Sequence, residues 1–213
     1  MVKIYNMASH LASGQLYRVI PNVYAMVIAD KYDRAMLFCR YQEFYESPFD
    51  NIRGKYFTIE EYMRQYTKHY NADMFTYPSD WEGYNIPSHI LSKAVERFEN
   101  DTYYDMLMQD VYYTCKEDCN DKFYLIGTDK VDSPVMKHEL AHALWYVNKK
   151  YKTSAQRLVN AIPKEDYAKL YMKIKKMGYA DDVIDDEIQA YMSTTWRNKY
   201  ADKFKKHFNK HLN

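Results

Sequence analysis

The sequence predicts an α+β fold that is predominantly α-helical with a small β-sheet. Most of the 213 residues fall in segments with apolar side chains at helical spacing, whereas only two short runs are typical of strands. Hydrophobic residues make up 47% of the chain and its formal net charge is +1, values that exclude a disordered chain. We therefore expect a globular protein, one compact domain overall, whose core is rich in the 24 tyrosines and 12 methionines.

Residues 1–120 are predicted to form a mostly helical N-terminal part of unknown role. The run Tyr24–Asp30 (YAMVIAD) is typical of a short buried strand. Thr58 is followed by two glutamates and Ser88 by an apolar stretch, so both residues are expected to begin helices. The segment 72–87 contains two prolines and a glycine and is expected to be an ordered loop. Helices are predicted over 34–46, 58–70, 88–100 and 103–117.

Residues 121–213 are predicted to form the part that carries the functional site. Lys122–Gly127 (KFYLIG) is typical of a strand. Ser133 and Pro134 open the next helix, because proline suits the first helical position. Gly178 is expected to end a helix, since glycine adopts the left-handed conformation common at helix ends. The further helices are predicted over 152–161, from 163 to 178, and from 182 toward the end of the chain.

Composition and spacing exclude several functional classes. No stretch approaches the 18 apolar residues of a membrane span, and polar residues interrupt the N-terminus where a signal peptide needs an apolar run. Three cysteines do not make a disulfide framework, so a cytoplasmic location is expected. Only five glycines are present, and neither common phosphate-loop motif occurs.

The charge is balanced overall but uneven along the chain. From Arg197 onward, six Lys and Arg residues accompany one Asp. Such a basic tail can contact nucleic acid, an acidic protein or a lipid surface, and it does not identify which. The near-neutral total argues against a dedicated nucleic-acid binder. The sequence does not indicate an oligomeric state.

The sharpest motif is His138-Glu139-Leu140-Ala141-His142, an HExxH match on a predicted helix. At about 100° per residue, the two histidines lie within roughly 40° of each other. Two neutral imidazoles one turn apart can occupy two corners of a tetrahedral Zn²⁺ site. Glu139 lies about a quarter-turn away and can reach a metal-bound water, whose pKa zinc lowers to about 7. We expect Glu139 to take the proton of that water and pass it to a leaving amine.

The helix that carries the motif is predicted to be amphipathic. Its apolar residues fall on the side opposite the histidines, so this side is expected to be buried and both imidazoles to face a cleft. The residues of the apolar side are Met136, Leu140, Ala143, Leu144 and Val147.

A catalytic zinc needs a third protein ligand and one open position. The extended motif HExxHxxGxxH is excluded, because Trp145 and Asn148 stand at its glycine and third histidine. A carboxylate from a later helix is the better candidate. The sequence offers a dense acidic run over 181–187.

Within this run we favour Glu187 as the third ligand. It lies 45 residues after His142, and the small Ala190 that follows it allows two helices to approach closely. Asp186 is the next candidate. Asp181 and Asp182 remain alternatives, and the whole run also suits a helix N-terminus without any metal.

These residues resemble the zincin metallopeptidases, specifically the gluzincin branch. The resemblance rests on HELAH and on Glu187 in a later helix, and it covers roughly Lys122–Tyr200, about a third of the chain. It implies one zinc ion with the ligands His138, His142 and Glu187, and Glu139 as the general base. It also implies that extended substrate binds along the edge of a strand before the motif, where Lys122–Gly127 lies.

The chain departs from the gluzincin pattern beside the third ligand. Asp186 replaces the usual Asn, and Tyr191 stands where an Asp often orients a ligand histidine. An acid normally fixes the tautomer of such a histidine, so Asp185 or Asp186 is expected to take that role here.

Zincins also need a donor that stabilises the tetrahedral oxyanion. Tyr191 follows Glu187 by one turn on the same helix face, so we predict that its hydroxyl points toward the metal and assists catalysis. Tyr179 and Tyr146 are weaker alternatives. Trp145 is expected either to line the cleft or to pack normally.

Two other pairs of residues, one of histidines and one of cysteines, are not interpreted as metal or redox sites. His207 and His211 repeat the four-residue spacing but lack a neighbouring carboxylate, which is typical of a solvated basic helix. Cys115 and Cys119 are spaced by one helical turn and have no partner pair, so we expect reduced thiols.

The expected function is that of a zinc-dependent metallopeptidase with a peptide or protein substrate. The alternative is a zincin fold without catalysis, or one of narrow specificity, that binds or regulates one protein or nucleic-acid partner. Glu139 favours the enzyme, because a structural zinc site is usually closed by four protein ligands and has no use for a base.

Overall fold

The computed structural model divides into two compact units, Met1–Val131 and Asp132–Asn213. Its fold is mixed α and β, predominantly helical with a small sheet, as the sequence predicts. Within the described residues, every helix is too short or too polar to cross a membrane. The structure describes residues 3–5, 14–98, 100–119, 122–179 and 181–212.

The first unit contains a sheet of five strands within the described chain. The strands are β1 (Lys3–Tyr5), β2 (Gln15–Ile20), β3 (Val23–Val27), β4 (Tyr84–Pro87) and β5 (Tyr124–Thr128). Their order is β1-β2-β3-β5-β4. β3 and β5 are parallel, and the other neighbours are antiparallel.

The position of β5 overturns one expectation about substrate. β5 pairs with β3 along one edge and with β4 along the other. Its backbone donors and acceptors are therefore already used in the sheet, and the prediction that Lys122–Gly127 offers a free edge to an extended peptide is wrong. β5 also belongs to the first unit, whereas the HExxH helix belongs to the second.

The helices of the first unit start largely where the sequence predicts. They are α1 (Lys31–Glu46), α2 (Ile59–Tyr70), α3 (Tyr77–Asp80), α4 (Ser88–Phe98) and α5 (Tyr103–Asp118). The start of α2 is confirmed: Thr58 and Glu61 form a capping box. Ser88 lies within α4, and its hydroxyl accepts a hydrogen bond from the backbone N–H of Phe123 at 3.1 Å. The loop predicted over 72–87 is wrong, because α3 and β4 both lie in it.

Aromatic packing accounts for most of the tyrosine excess. In the first unit, Phe38 of α1 stacks on Tyr84 of β4 with 5.3 Å between ring centroids. Gly127 of β5 permits this contact, since a Cβ there would lie 2.5 Å from the Phe38 ring. Five tyrosines in this core are at most 2% exposed: Tyr24, Tyr41, Tyr62, Tyr77 and Tyr84. The thiols of Cys115 and Cys119 are free and buried in the same unit.

The second unit is a bundle of helices around one central helix. The helices are α6 (Pro134–Val147), α7 (Lys149–Asn160), α8 (Lys164–Lys176), α9 (Ile184–Thr194) and α10 (Ala201–Leu212). A 3₁₀ turn over Asp181–Val183 precedes α9. α9 packs against α6, α7, α8 and α10. Its buried Ile184, Ile188 and Met192 form the core with residues of the surrounding helices.

Two boundaries in this unit show what the sequence could and could not indicate. Gly178 has φ +98° and follows α8 closely, so the predicted stop is confirmed. The prediction of one helix from Asp182 to the end is wrong, because the chain leaves helical geometry between Thr194 and Ala201. There the Asn198 side chain accepts hydrogen bonds from the N–H groups of Tyr200 and Ala201 and starts α10 as a separate helix.

Candidate metal centre

α6 places the HExxH motif in its second and third turns. Ser133 caps the helix by accepting a hydrogen bond from Met136 N at 2.9 Å, and Pro134 occupies the first helical position. Because the start of the helix is fixed, the two histidines one turn apart lie side by side. Their ring centroids are 4.9 Å apart and the rings are nearly perpendicular.

The histidine side of α6 is buried, contrary to the prediction of an amphipathic helix. His142 is only 6% exposed and Glu139 only 8% exposed. On the apolar side, Met136, Ala143 and Leu144 are buried too, so the helix is covered on both sides. The cause is α9, which packs against α6. The imidazoles therefore face an interior lined by a second helix, and only the His138 side chain retains 17% exposure.

α9 brings the acidic run to this interior. Its first turn contains Asp185, Asp186 and Glu187, and no side chain caps its N-terminus. Carboxylates in a first turn suit the helix dipole. Glu187 is 7% exposed, so its carboxylate lies within the packed interface with α6.

Three potential ligand atoms converge between the two helices. Nε2 of His142 lies 3.2 Å from Nε2 of His138 and 3.5 Å from Oε1 of Glu187. Nε2 of His138 lies 3.9 Å from Oε2 of Glu187. In a tetrahedral site with zinc–ligand bonds of about 2.0–2.2 Å, neighbouring ligand atoms lie about 3.3–3.6 Å apart. The 3.5 Å distance meets this spacing, the 3.2 Å distance falls just short of it, and the 3.9 Å distance, which runs to the second oxygen of Glu187, exceeds it.

The donor set also fits zinc chemically. Two imidazole nitrogens and one carboxylate oxygen form the His₂Glu set found in catalytic zinc sites, where a fourth position stays open. Among the described residues, the group of His, Cys, Asp and Glu side chains close enough to share an ion is His138, His142 and Glu187.

Each histidine is held through its other ring nitrogen. Nδ1 of His142 lies 3.0 Å from Oδ1 of Asp186, and Nδ1 of His138 lies 3.3 Å from Oγ1 of Thr194. The Thr194 hydroxyl donates to the Ala190 carbonyl at 2.7 Å, so its oxygen accepts from His138. Both Nδ1 atoms therefore carry a proton, so in its neutral form each ring directs an Nε2 lone pair at the shared position.

The two histidines differ in charge when no metal is present. Burial, together with the neighbouring His142, lowers the pKa of His138 to about 3. Burial acts against protonation of His142 as well, but the carboxylates of Asp186 and Glu187 outweigh it and raise that pKa to about 10. A proton on Nε2 of His142, donated to Nε2 of His138, thus occupies the place that a metal ion would take.

Glu139 and two tyrosines face the same region. The Glu139 carboxylate is one of the charges that raise the pKa of His142 and of the Tyr179 and Tyr191 hydroxyls. The Tyr191 ring lies 4.6 Å from the His138 ring, and its hydroxyl is 3.3 Å from that of Tyr179. Burial and the Glu187 charge keep both hydroxyls protonated, so both are hydrogen-bond donors beside the carboxylates.

The structure separates the alternative ligands by what they contact. Asp186 turns to Nδ1 of His142 and orients it, as an acid at 185 or 186 was expected to do. Asp185 accepts from Gln156 at 2.6 Å and from Tyr167 at 2.8 Å. Asp181 pairs with Lys175 at 3.0 Å and is largely exposed, and Asp182 is exposed too.

The aromatic residues considered earlier have different neighbours. The Lys152 amine lies 5.1 Å from the centre of the Trp145 ring, which is ordinary packing between α6 and α7. Tyr146 is partly exposed, next to Trp145 on α6. Trp196, which sequence reasoning did not single out, stacks on Tyr191 at 5.0 Å.

Sequence reasoning also missed Thr194, although a signal was present. Thr194 follows Glu187 by seven residues and Tyr191 by three, so all three share one face of a helix. Once Glu187 is chosen as a ligand, this face points at the histidines and a hydroxyl on it is a candidate partner for a ring nitrogen.

Comparisons with protein-family models, with curated proteins and with solved structures gave no match to this chain. The site is therefore interpreted from its own geometry and chemistry.

Proposed function

We propose that this protein is a zinc-dependent metallopeptidase of gluzincin type that hydrolyses peptide bonds in a peptide or protein substrate. One observation carries the proposal. His138, His142 and Glu187 converge as a three-ligand set, and Glu139 lies beside it without belonging to it. A closed structural site usually has four protein ligands, whereas three ligands and a neighbouring carboxylate suit a catalytic site.

The zinc ion, when bound, lowers the pKa of a coordinated water to about 7 and polarises the substrate carbonyl. Glu139 is the general base in this proposal. Its buried carboxylate takes a proton from the attacking water and delivers it to the leaving amine. The low exposure of Glu139 favours this role, because a carboxylate shielded from bulk water keeps a stronger interaction with the proton it transfers.

Tyr191 and Tyr179 supply the oxyanion donor in this proposal. Both hydroxyls remain protonated and lie near the carboxylates of Glu187 and Glu139. A hydroxyl can donate a hydrogen bond to the negative oxygen of the tetrahedral intermediate. Tyr191 is the stronger candidate because its ring contacts His138, which fixes its position relative to a ligand.

The remaining parts of the proposal concern cofactor and location. One zinc ion is expected per chain, since the ligand group is single within the described residues. A cytoplasmic location is supported by the three cysteines, which are free and buried.

The decisive experiment compares Glu139→Gln with Glu165→Gln. Glu165 is an exposed residue in the first turn of α8, so its change is a matched control for the loss of one carboxylate in the same unit. Zinc content and cleavage of a proteome-derived peptide library are measured for the wild type and both variants. We expect Glu139→Gln to keep zinc and to lose cleavage by about 10²–10⁴-fold, while Glu165→Gln changes neither.

Two results would contradict the proposal in different ways. A wild-type protein that binds zinc and cleaves no peptide or folded protein would support the alternative of a non-catalytic binding protein. A Glu139→Gln variant that cleaves as fast as the wild type would show that hydrolysis, if any, does not use this base.

A further inference from the structure

Behind His142 lies a hydrogen-bonded chain that reaches a third helix. Asp186, which orients His142, accepts a second hydrogen bond from Nε2 of Gln189 at 2.8 Å. Gln189 in turn accepts from the Tyr151 hydroxyl at 2.6 Å. The chain therefore runs from α7 through α9 to the ligand on α6. Gln189 and Tyr151 are both 0% exposed.

The orientation of the Gln189 amide follows from its partners. Its Nε2 group lies 2.8 Å from Asp186 Oδ1 and 3.2 Å from the Ala141 carbonyl, both of which can only accept. Its oxygen must therefore face Tyr151, whose hydroxyl can donate. Both N–H bonds and the amide oxygen are satisfied, so this buried amide has one stable arrangement.

Gln189 also ties the two ligand-bearing helices together. The Ala141 carbonyl belongs to the residue just before His142, and Asp186 just precedes Glu187. The Gln189 amide thus bonds to the α6 backbone next to the ligand His142 and to the Asp186 side chain next to the ligand Glu187. A shift of α9 along α6 would break a buried hydrogen bond and leave its polar groups unsatisfied.

Tyr151 is itself fixed at two points. Its backbone N–H donates to Asn148, the N-cap of α7, at 3.0 Å. Its ring stacks on His207 of α10 with 4.9 Å between centroids and 15° between planes. The hydroxyl is therefore presented to Gln189 by a side chain that has little freedom of its own.

We propose, resting on the zinc site of the proposed function, that Gln189 and Tyr151 are positioning residues of the metal centre, which hold Asp186 in the place where it orients His142. Groups that contact a ligand histidine usually tune metal affinity by 10–100-fold. A group one bond further out acts through Asp186 and has a smaller effect. The rival explanation is that the chain only stabilises the packed bundle, as any buried hydrogen bond does.

The test removes the Tyr151 hydroxyl and leaves its ring. Tyr151→Phe deletes the bond to Gln189 and keeps the stack on His207. Tyr167→Phe is the matched control, because the Tyr167 hydroxyl donates at 2.8 Å to Asp185, the neighbouring acid on α9, which also accepts from Gln156. Zinc affinity is measured by competition with a chelator, the visible spectrum with Co²⁺ in place of zinc, and thermal stability without metal.

We expect Tyr151→Phe to weaken zinc binding by about threefold to tenfold and to shift the Co²⁺ spectrum, with Tyr167→Phe unchanged in both. In an Asp186→Ala background the same Tyr151→Phe change should alter zinc affinity by less than about twofold, because the residue through which it acts is gone. Gln189→Met gives a second route to the same link if either tyrosine variant is unstable.

Two outcomes overturn the proposal. Equal zinc affinity and equal Co²⁺ spectra in Tyr151→Phe, Tyr167→Phe and the wild type would show that the chain is structural only. An undiminished effect of Tyr151→Phe in the Asp186→Ala background would show that it does not act through Asp186. If the wild type binds no zinc, the metal centre itself fails, which is a separate result from either of these.

Discussion

The second unit contains two histidine pairs with identical spacing and different surroundings. His138 and His142 direct their Nε2 atoms at a shared position beside Glu187. His207 and His211 are as close, with ring centroids 4.5 Å apart, but Nε2 of His207 lies 3.1 Å from Ser154 Oγ. Nδ1 of His211 lies 3.0 Å from the His207 carbonyl of its own helix.

The difference teaches what the spacing does and what it does not do. Four-residue spacing brings two rings together on any helix. A metal centre also needs partners that bond one nitrogen of each ring, so that the other nitrogen can bind the metal, and a carboxylate from a second helix. The first pair has all of these. In the second pair, Nε2 of His207 and Nδ1 of His211 lie beside a hydroxyl and a carbonyl of the protein, and both rings pack on Tyr151.

The electrostatics of the two pairs differ in the same way. Asp186 and Glu187 outweigh burial and raise the pKa of His142, whereas burial and His211 lower the pKa of His207. A divalent cation is attracted by the same carboxylates that attract a proton to His142. Among the described residues, no carboxylate contributes to the shift at His207, so that attraction is not seen there.

The largest expected effect comes from removing a histidine of each pair in turn. His142→Ala deletes a ligand, so we expect zinc affinity to fall by more than the roughly hundredfold seen for changes outside the ligand shell. His207→Ala should retain zinc, with a lower thermal stability because the stack on Tyr151 is lost. Zinc titration of both purified variants checks this, and loss of zinc in His207→Ala alone would reverse the assignment of the two pairs.

The next effect separates the carboxylates of α9. Glu187→Ala should lower zinc affinity by about a hundredfold or more, since it removes the third ligand. Asp185→Ala is the matched change two residues earlier in the same turn, and it should leave affinity unchanged because Asp185 bonds to Gln156 and Tyr167. Isothermal titration distinguishes them. A variant that lacks Glu187 and binds as tightly as the wild type would show that another acid completes the site.

A smaller effect is expected for the residue that orients His142. Asp186→Ala should weaken zinc binding by about 10–100-fold, because the His142 tautomer is no longer fixed by an acid. Chelator competition measures the affinity, and an Asp186→Ala protein with wild-type affinity would contradict the orienting role.

The pH dependence of zinc binding follows from the charge on His142. The Asp186 and Glu187 carboxylates raise the pKa of His142 to about 10, so below that pH zinc must displace a proton. Affinity should therefore rise with pH by up to about tenfold per unit between pH 7 and 9 and level off near 10. Titrations in two buffers of different ionisation enthalpy reveal the released proton. Affinity that stays constant with pH would show that His142 is already neutral.

The smallest effect is expected at Thr194. A neutral hydroxyl orients His138 less strongly than a carboxylate orients His142, so Thr194→Val should weaken zinc binding by only about twofold to fivefold. The matched control is Thr195→Val, on an exposed neighbour. If Thr194→Val weakened zinc binding as much as Asp186→Ala does, the hydroxyl would orient its histidine as strongly as the carboxylate, which would contradict this prediction.

Local signals predicted much of the fold. The cap at Thr58, the Ser133-Pro134 start and the Gly178 stop each act through bonds within a few residues, so the sequence reveals them directly. The strand β4 and the break before α10 depend on long-range pairing and on one Asn side chain, and they were not predicted. The order of strands in the sheet likewise depends on contacts between distant segments.

The candidate site likewise has a part that local sequence signals reveal and a part that depends on contacts between distant segments. Helical geometry alone placed His138 and His142 together, and a carboxylate-rich run pointed to Glu187. Gln189 and Tyr151 could not be inferred, because their partners lie on three helices whose packing no local pattern specifies. The burial of the histidine side was missed for the same reason: α9 covers it.

The central claim is that one zinc ion binds between α6 and α9. Anomalous diffraction at the zinc edge, recorded from zinc-loaded crystals, tests it most directly. We predict a single strong peak about 2.0–2.2 Å from Nε2 of His138, Nε2 of His142 and an oxygen of Glu187. A peak at the His207 and His211 pair instead, or none in zinc-loaded crystals, would contradict the claim.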